Sequence, residues 1–204
     1  MFHKGSLFAI CACAAALFSA PSFANDYILY VRPQKKLGSE FSTYWKAVKK
    51  DSSISHKAIT DYPPHCSLTG FFPANKSEKT YIKAVNDAIK SLGSARTITI
   101  DGLVQGNVTS RLDYVKLSSS YLLAVTKAFM NNASVPMSFL KDPKTFTYHI
   151  TLRDHTFQKN ADKKLKKIQR LEKKINLKAK ASWSLFLYER DDNGDITPIK
   201  EFPL

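Results

Sequence analysis

The sequence predicts an α+β domain built from two similar halves, and three observations carry that prediction. Stretches that alternate polar and apolar residues, as strands do, are interspersed with stretches of helical periodicity along the whole chain. The order helix, strand, helix, strand, strand then occurs twice, too diverged to show as sequence identity. Finally, the first strand of each round carries a histidine two residues before a hydroxyl residue: His65 with Ser67 in "HCSLTG", and His149 with Thr151 in "YHITLR".

Residues 1–24 stand apart from this pattern. Lys4, an uncharged apolar run from Leu7 to Phe18, and the small-x-small triplet Ser22-Phe23-Ala24 form a secretory signal peptide cut after Ala24. The run is short of the roughly 20 apolar residues that span a bilayer. The expected product is residues 25–204, a single domain, exported to a periplasm or secreted and free of the membrane after cleavage.

Within it, "DYILYV" (26–31) is a strand, and "SEFSTYWKAVKKD" (39–51) is a helix with Phe41, Tyr44, Trp45 and Val48 on one stripe. After the first histidine strand comes a well-marked helix. Ser77 can cap it, Tyr81, Ile82, Val85, Ile89 and Leu92 form its apolar stripe, and Gly93 can end it. "RTITID" (96–101) and "DYVKLS" (113–118) alternate like strands, and a helix follows at 121–131. A loop with Pro136 and Pro143 leads to the second histidine strand, then a helix from Asn160. "SWSLFLYER" (182–190), the turn "DDNGD" (191–195) and "ITPIKEF" make a terminal hairpin.

Charge and cysteine usage narrow the chemistry. Without Lys4 the chain keeps 30 Lys and Arg against 17 Asp and Glu, an excess that favours polyanions. Much of it lies in "KKLKKIQRLEKKINLKAK" (163–180), where Leu165, Ile168, Leu171 and Ile175 recur at helical spacing. That segment is an amphipathic helix with a solvated basic surface, and the surface is a candidate for binding RNA. Only Cys66 remains after cleavage, which excludes an intramolecular disulfide and a cysteine-rich zinc site. His56 and His155 have no matched partner and are assigned to the surface, and no closely spaced histidine pair favours a zinc centre.

In a strand, residues i and i+2 share a face. His65, Ser67 and Thr69 therefore share one face, with Pro64, Cys66 and Leu68 opposite. His149, Thr151 and Arg153 share another, with Tyr148, Ile150 and Leu152 behind them. Alternation turns the Cys66 thiol into the core, away from His65. Each polar face presents an imidazole and a hydroxyl ~6.5–7 Å apart along the backbone, about the reach of one phosphate group. If the two strands meet across a cleft, one neutral imidazole can take a proton from water while the other, protonated, supplies a leaving oxygen. The hydroxyls can hold the phosphate oxygens.

These paired H-x-[S/T]-hydrophobic motifs, "HCSL" and "HITL", resemble the signature of the two-histidine (2H) phosphoesterase superfamily. The layout is most similar to the cyclic phosphodiesterase branch of plants and yeast, and the resemblance covers residues 25–204. It implies a bilobal, LigT-like fold, with two pseudo-symmetric lobes of antiparallel sheet and helices around a central groove. It also implies that His65 and His149 are the acid–base pair and that Ser67 and Thr151 bind phosphate. The expected reaction is hydrolysis of 2′,3′-cyclic phosphates of nucleotides or RNA ends, by a monomer, without metal or other cofactor. Arg153 is a candidate extra phosphate contact or a structural residue. Two alternatives stand beside the hydrolase: an exported nucleotide- or RNA-binding protein without activity, and an endonuclease using the same histidines.

Overall fold

The computed structural model describes residues 25–50, 63–106, 112–154 and 162–204. The signal segment and both His56 and His155 lie outside the described residues. The order is β1 (Asp26–Gln34), α1 (Lys35–Lys50), β2 (Cys66–Ser67), β3 (Phe72–Pro73), α2 (Glu78–Ser91), β4 (Thr99–Val104), β5 (Leu112–Ser118), α3 (Ser120–Ala133), β6 (His149–Asp154), α4 (Asp162–Glu172), β7 (Ala181–Arg190) and β8 (Ile196–Pro203). All pairings are antiparallel, in two sheets. One sheet runs β2-β1-β7-β8, with the short β3 also on β1; the other runs β4-β5-β6. This is the expected α+β class.

The pairing crosses between the halves. Hairpin β4–β5, from the first round, pairs with the second histidine strand, β6. Hairpin β7–β8, from the second round, completes the sheet of the first histidine strand, β2. One apolar core joins them, in which Leu29, Val31, Leu185 and Leu187 meet helix residues Phe41, Val85, Leu122 and Phe129. Each such side chain stabilises the fold by about 1.5–3 kcal/mol through burial.

Several boundaries differ from expectation for local reasons. Helix α1 starts a turn early because Leu37 adds a buried position ahead of Phe41. Lys35, at φ 55°, turns the chain from strand to helix. Gly38 then lies so close to the end of β1 that a Cβ there would stand 2.7 Å from the Pro33 carbonyl oxygen. Strand β4 starts three residues late, at Thr99, and its register shifts between Ile100 and Gly102. The basic helix stops at Glu172, and Ile175 packs instead from a following series of turns. Ser77 stands at the expected position before helix α2 but does not cap it with its side chain, because its hydroxyl meets the Thr80 hydroxyl at 2.9 Å rather than a backbone N–H. Among the described residues no helix is long and apolar enough to cross a membrane.

Candidate active site

Strand β2 is an edge of one sheet and β6 an edge of the other, and the two edges lie against each other. Cys66 is buried at this junction, where its thiol meets the backbone of His149. Burial pushes that thiol up to about 12, so it is an inert packing group, as alternation predicted. On either side of it the two histidines emerge, each half-buried.

The histidines are held by one device used twice. His65 Nδ1 lies 2.8 Å from the Pro63 carbonyl oxygen, and His149 Nδ1 lies 2.6 Å from that of Thr147. A carbonyl can only accept, so each Nδ1 carries the hydrogen and donates it. In the neutral ring the lone pair is therefore on Nε2, the atom on the far side of the ring from its anchor.

Behind each ring stands a tyrosine from the neighbouring strand. Tyr30 pairs in register with Ser67, and its ring lies 3.9 Å from that of His65. Tyr114 pairs with Thr151, and its ring lies 5.2 Å from that of His149. Phe146 closes the other side of His149, also at 5.2 Å. Ser67 and Thr151 are half-buried beside their histidines, and neither hydroxyl is engaged by another described residue. Of the four residues singled out from the sequence, Ser67, His149 and Thr151 are on the two abutting strands, and His65 immediately precedes β2. Beside the second, a cavity of about 390 Å³ is lined by Lys116, Ser118, Ser120, Leu123, Phe146 and Thr147, among others.

Electrostatics separate the two rings. His65 is lowered to about 4, first by burial and then by the charges of Arg32 and His149. The Pro63 carbonyl acts in the opposite sense. At neutral pH His65 is therefore an uncharged acceptor. The influence of His149 on His65 also marks the two as electrostatic neighbours.

Two neighbouring residues depart from simple alternation. Thr69 is fully buried, and its Oγ1 accepts the Leu29 N–H at 3.0 Å. Strand β2 leaves the sheet after Ser67, so a side-chain oxygen replaces the missing ladder acceptor for Leu29, and Thr69 turns inward. Arg153 is likewise fully buried. The register of β5 on β6 shifts, with Tyr114 opposite Thr151 but Asp113 opposite Arg153, so one extra residue in β6 reverses the facing of the strand beyond it. Arg153 then reaches Asp113 Oδ2 from Nε at 3.1 Å and from Nη2 at 2.7 Å. It is a structural anchor and does not share the face of His149. The same buried group includes Glu172, which accepts from Gln105 Nε2 at 2.8 Å and from the Tyr44 hydroxyl at 3.4 Å. Burial, then Asp113, pushes Glu172 up to about 8.

Three residues that the sequence reading passed over border the site: Tyr30, Tyr114 and Arg32. The signal for Tyr30 and Arg32 was the same i, i+2 rule applied to "DYILYVR", which puts Ile28, Tyr30 and Arg32 on one face. With Phe186 and Tyr188 of β7, Ile28 and Tyr30 form a small apolar floor separate from the main core. Among the described residues, no three His, Cys, Asp or Glu side chains gather as a metal-ligand set.

No family model matches the chain, and no curated protein matches it in sequence. Solved structures do. E. coli LigT in complex with phosphate superposes with a TM-score of 0.51 at 16% identity, over 90% of this chain and 99% of that one. A structure described as a phosphoesterase gives 0.50 at 14% identity, over 88% and 98%. The likeness takes in both sheets, and the chain therefore has the LigT-like two-histidine phosphoesterase fold.

Proposed function

We propose that the protein is a phosphodiesterase that opens 2′,3′-cyclic phosphates of nucleotides or RNA ends by acid–base catalysis between His65 and His149. One observation carries this reading. Two imidazoles on abutting edge strands are each tied at Nδ1 to the carbonyl two residues back, which commits both Nε2 atoms to proton transfer. That LigT, which shares the fold, has been crystallised with phosphate is consistent with a phosphate group as the ligand.

The depressed His65 is suited to be the base. Its Nε2 takes a proton from water as the water oxygen bonds to phosphorus. The bond from phosphorus to one ribose oxygen breaks, and His149, entering as the imidazolium, gives its Nε2 proton to that oxygen. The products are a phosphomonoester and a free hydroxyl. Ser67 and Thr151 donate to the non-bridging oxygens, where charge grows in the transition state. Each proton transfer is typically worth ~10²–10⁴-fold in rate. We place the attached nucleoside toward the cavity lined by Lys116, Phe146 and Thr147, residues that neighbour His149. These steps use only side chains of this chain and call for no metal. We extend the reading to an exported monomer of the plant and yeast cyclic phosphodiesterase type, on the strength of residues 7–24 and of the motif order.

The test is a panel of 2′,3′- and 3′,5′-cyclic nucleotides in EDTA, with products resolved by phosphorus NMR. Turnover of the 2′,3′ series is expected. Binding without turnover would favour the non-catalytic alternative, cleavage of long RNA to cyclic-phosphate ends the endonuclease, and activity abolished by EDTA a metal site.

A further inference from the structure

The two histidine strands supply proton carriers and hydroxyls but no cation. Arg153, the arginine that the sequence placed on the His149 face, is consumed by Asp113 in the interior. Arg190 is paired with Asp26, and Lys116, opposite His149, lies 3.6 Å from Asp101. Arg32 differs from all three, because no carboxylate pairs with it among the described residues. Its neighbours instead fix its position. Nη1 donates to the Tyr188 hydroxyl at 2.8 Å, and the guanidinium lies 4.6 Å over the Phe186 ring. Nε is buried with no hydrogen-bond partner among the described residues. Tyr188 in turn lies 5.2 Å from Tyr30, the ring on which His65 rests. A guanidinium is thus held ready on the His65 side of the site with its charge unspent.

We propose that Arg32 is the phosphate-gripping cation of this site, offering its free donors to the non-bridging oxygens of a phosphodiester anion placed between His65 and His149. The proposal deepens the phosphodiesterase reading and rests on it for the identity of the substrate. A planar fork suits two phosphate oxygens at once. Pre-set by Tyr188 and Phe186, it binds without first giving up side-chain freedom or leaving a carboxylate partner. Its charge also disfavours the imidazolium of His65, which fits the division of labour between the two rings.

The experiment compares wild type, Arg32→Gln, Arg32→Lys and Tyr188→Phe for inorganic phosphate binding by calorimetry and for kcat/KM on 2′,3′-cyclic AMP. Arg32→Gln is expected to weaken phosphate binding at least tenfold and to lower kcat/KM by ~10²-fold. Arg32→Lys should recover part of both, Tyr188→Phe should lose a few-fold, and the His65 ring should titrate at higher pH in Arg32→Gln. Phosphate binding and turnover unchanged in Arg32→Gln would overturn the proposal and leave the phosphodiesterase reading standing. Absence of phosphate binding by the wild type would overturn it as well. Wild-type protein that binds phosphate through Arg32 but turns over no cyclic nucleotide would keep this inference and end the hydrolase reading. If Arg32→Gln melts early, Tyr188→Phe, which removes one hydroxyl, decides by the same measurements.

Discussion

The strand that carries His65 and the strand that carries His149 do one job with different support. Strand β2 pairs over two residues and then leaves its sheet, tied back to β1 at Leu29, whose N–H donates to Thr69 Oγ1 and whose carbonyl accepts from Leu68 N–H. Strand β6 runs for six residues and is locked by the buried Arg153–Asp113 pair. The rings differ in the same manner. His65 lies face-near to Tyr30 at 3.9 Å, beside a cation; His149 sits between Tyr114 and Phe146, each at 5.2 Å. Two histidines that look equivalent in sequence therefore have unlike surroundings, and those of His65 lower its basicity below that of an ordinary imidazole. The matched carbonyl anchors tie the two rings in the same way; the neighbouring rings and the nearby Arg32 make their surroundings different.

The comparison is broken most directly at the rings. His65→Gln and His149→Gln are each expected to lower kcat/KM on a 2′,3′-cyclic nucleotide by ~10²–10⁴-fold. Wild-type activity should fall toward acid as His65 becomes protonated near its value of about 4. His65→Gln should remove that acidic limb, whereas the residual activity of His149→Gln should keep it. If both variants lose the same limb, the division of roles is wrong.

The anchors come next. Removing one partner of a buried ion pair costs about 3–5 kcal/mol, so Arg153→Met should destabilise strongly in chemical denaturation. Thr69→Val leaves the Leu29 N–H without its acceptor and should cost about 1–3 kcal/mol. A larger loss from Thr69→Val than from Arg153→Met would reverse the order of support argued for the two strands.

Smaller effects sharpen the contrast between the tyrosines. Tyr30→Leu should raise the titration of His65 toward its ordinary value by opening the ring to water, and lower the rate by about tenfold. Tyr114→Leu, at a ring distance of 5.2 Å from His149 against 3.9 Å for Tyr30 and His65, should perturb the C–H signals of its histidine less. Proton NMR of the ring C–H signals measures both.

Smallest is the pH dependence of stability. Glu172 holds its proton to about 8 in the folded chain, whereas an ordinary glutamate loses it near 4.5. Across that window the folded state binds the extra proton, so Glu172 makes stability fall as pH rises. For His65 the unfolded chain binds the extra proton between about 4 and 6.5, so stability falls as pH drops there. Glu172→Gln should remove the fall of stability between about pH 4.5 and 8 and leave the contribution of His65 in place, as followed by thermal melts from pH 4 to 9.

Much of this was readable from residues 63–69 and 146–153, because facing in a regular strand depends only on parity. His65, Ser67, His149, Thr151 and the inward Cys66 all followed from it. Parity failed where the strands were irregular. A break after Ser67 turned Thr69 inward, and an extra residue in β6 reversed Arg153. The second event has no glycine or proline beside it, and Gly70, next to Thr69, does not by itself say which way Thr69 turns. Tyr30, Arg32 and Tyr114 were missed for another reason: their role depends on which strands become neighbours. Pairing of β1 with β2 and of β5 with β6 is a property of the whole topology, whereas each strand taken alone offers only an apolar alternation.

The crossed pairing has a consequence for how the molecule comes into being. Strand β1 finds its long partner in β7, far along the chain, through the full register from Asp26↔Arg190 to Gln34↔Ser182. Until that segment leaves the ribosome, the wall bearing His65 lacks its middle, and such distant contacts form slowly. Birth of the active centre therefore waits for β7, and a nascent chain stopped before Ala181 should be as open to protease at β1 as an unfolded one.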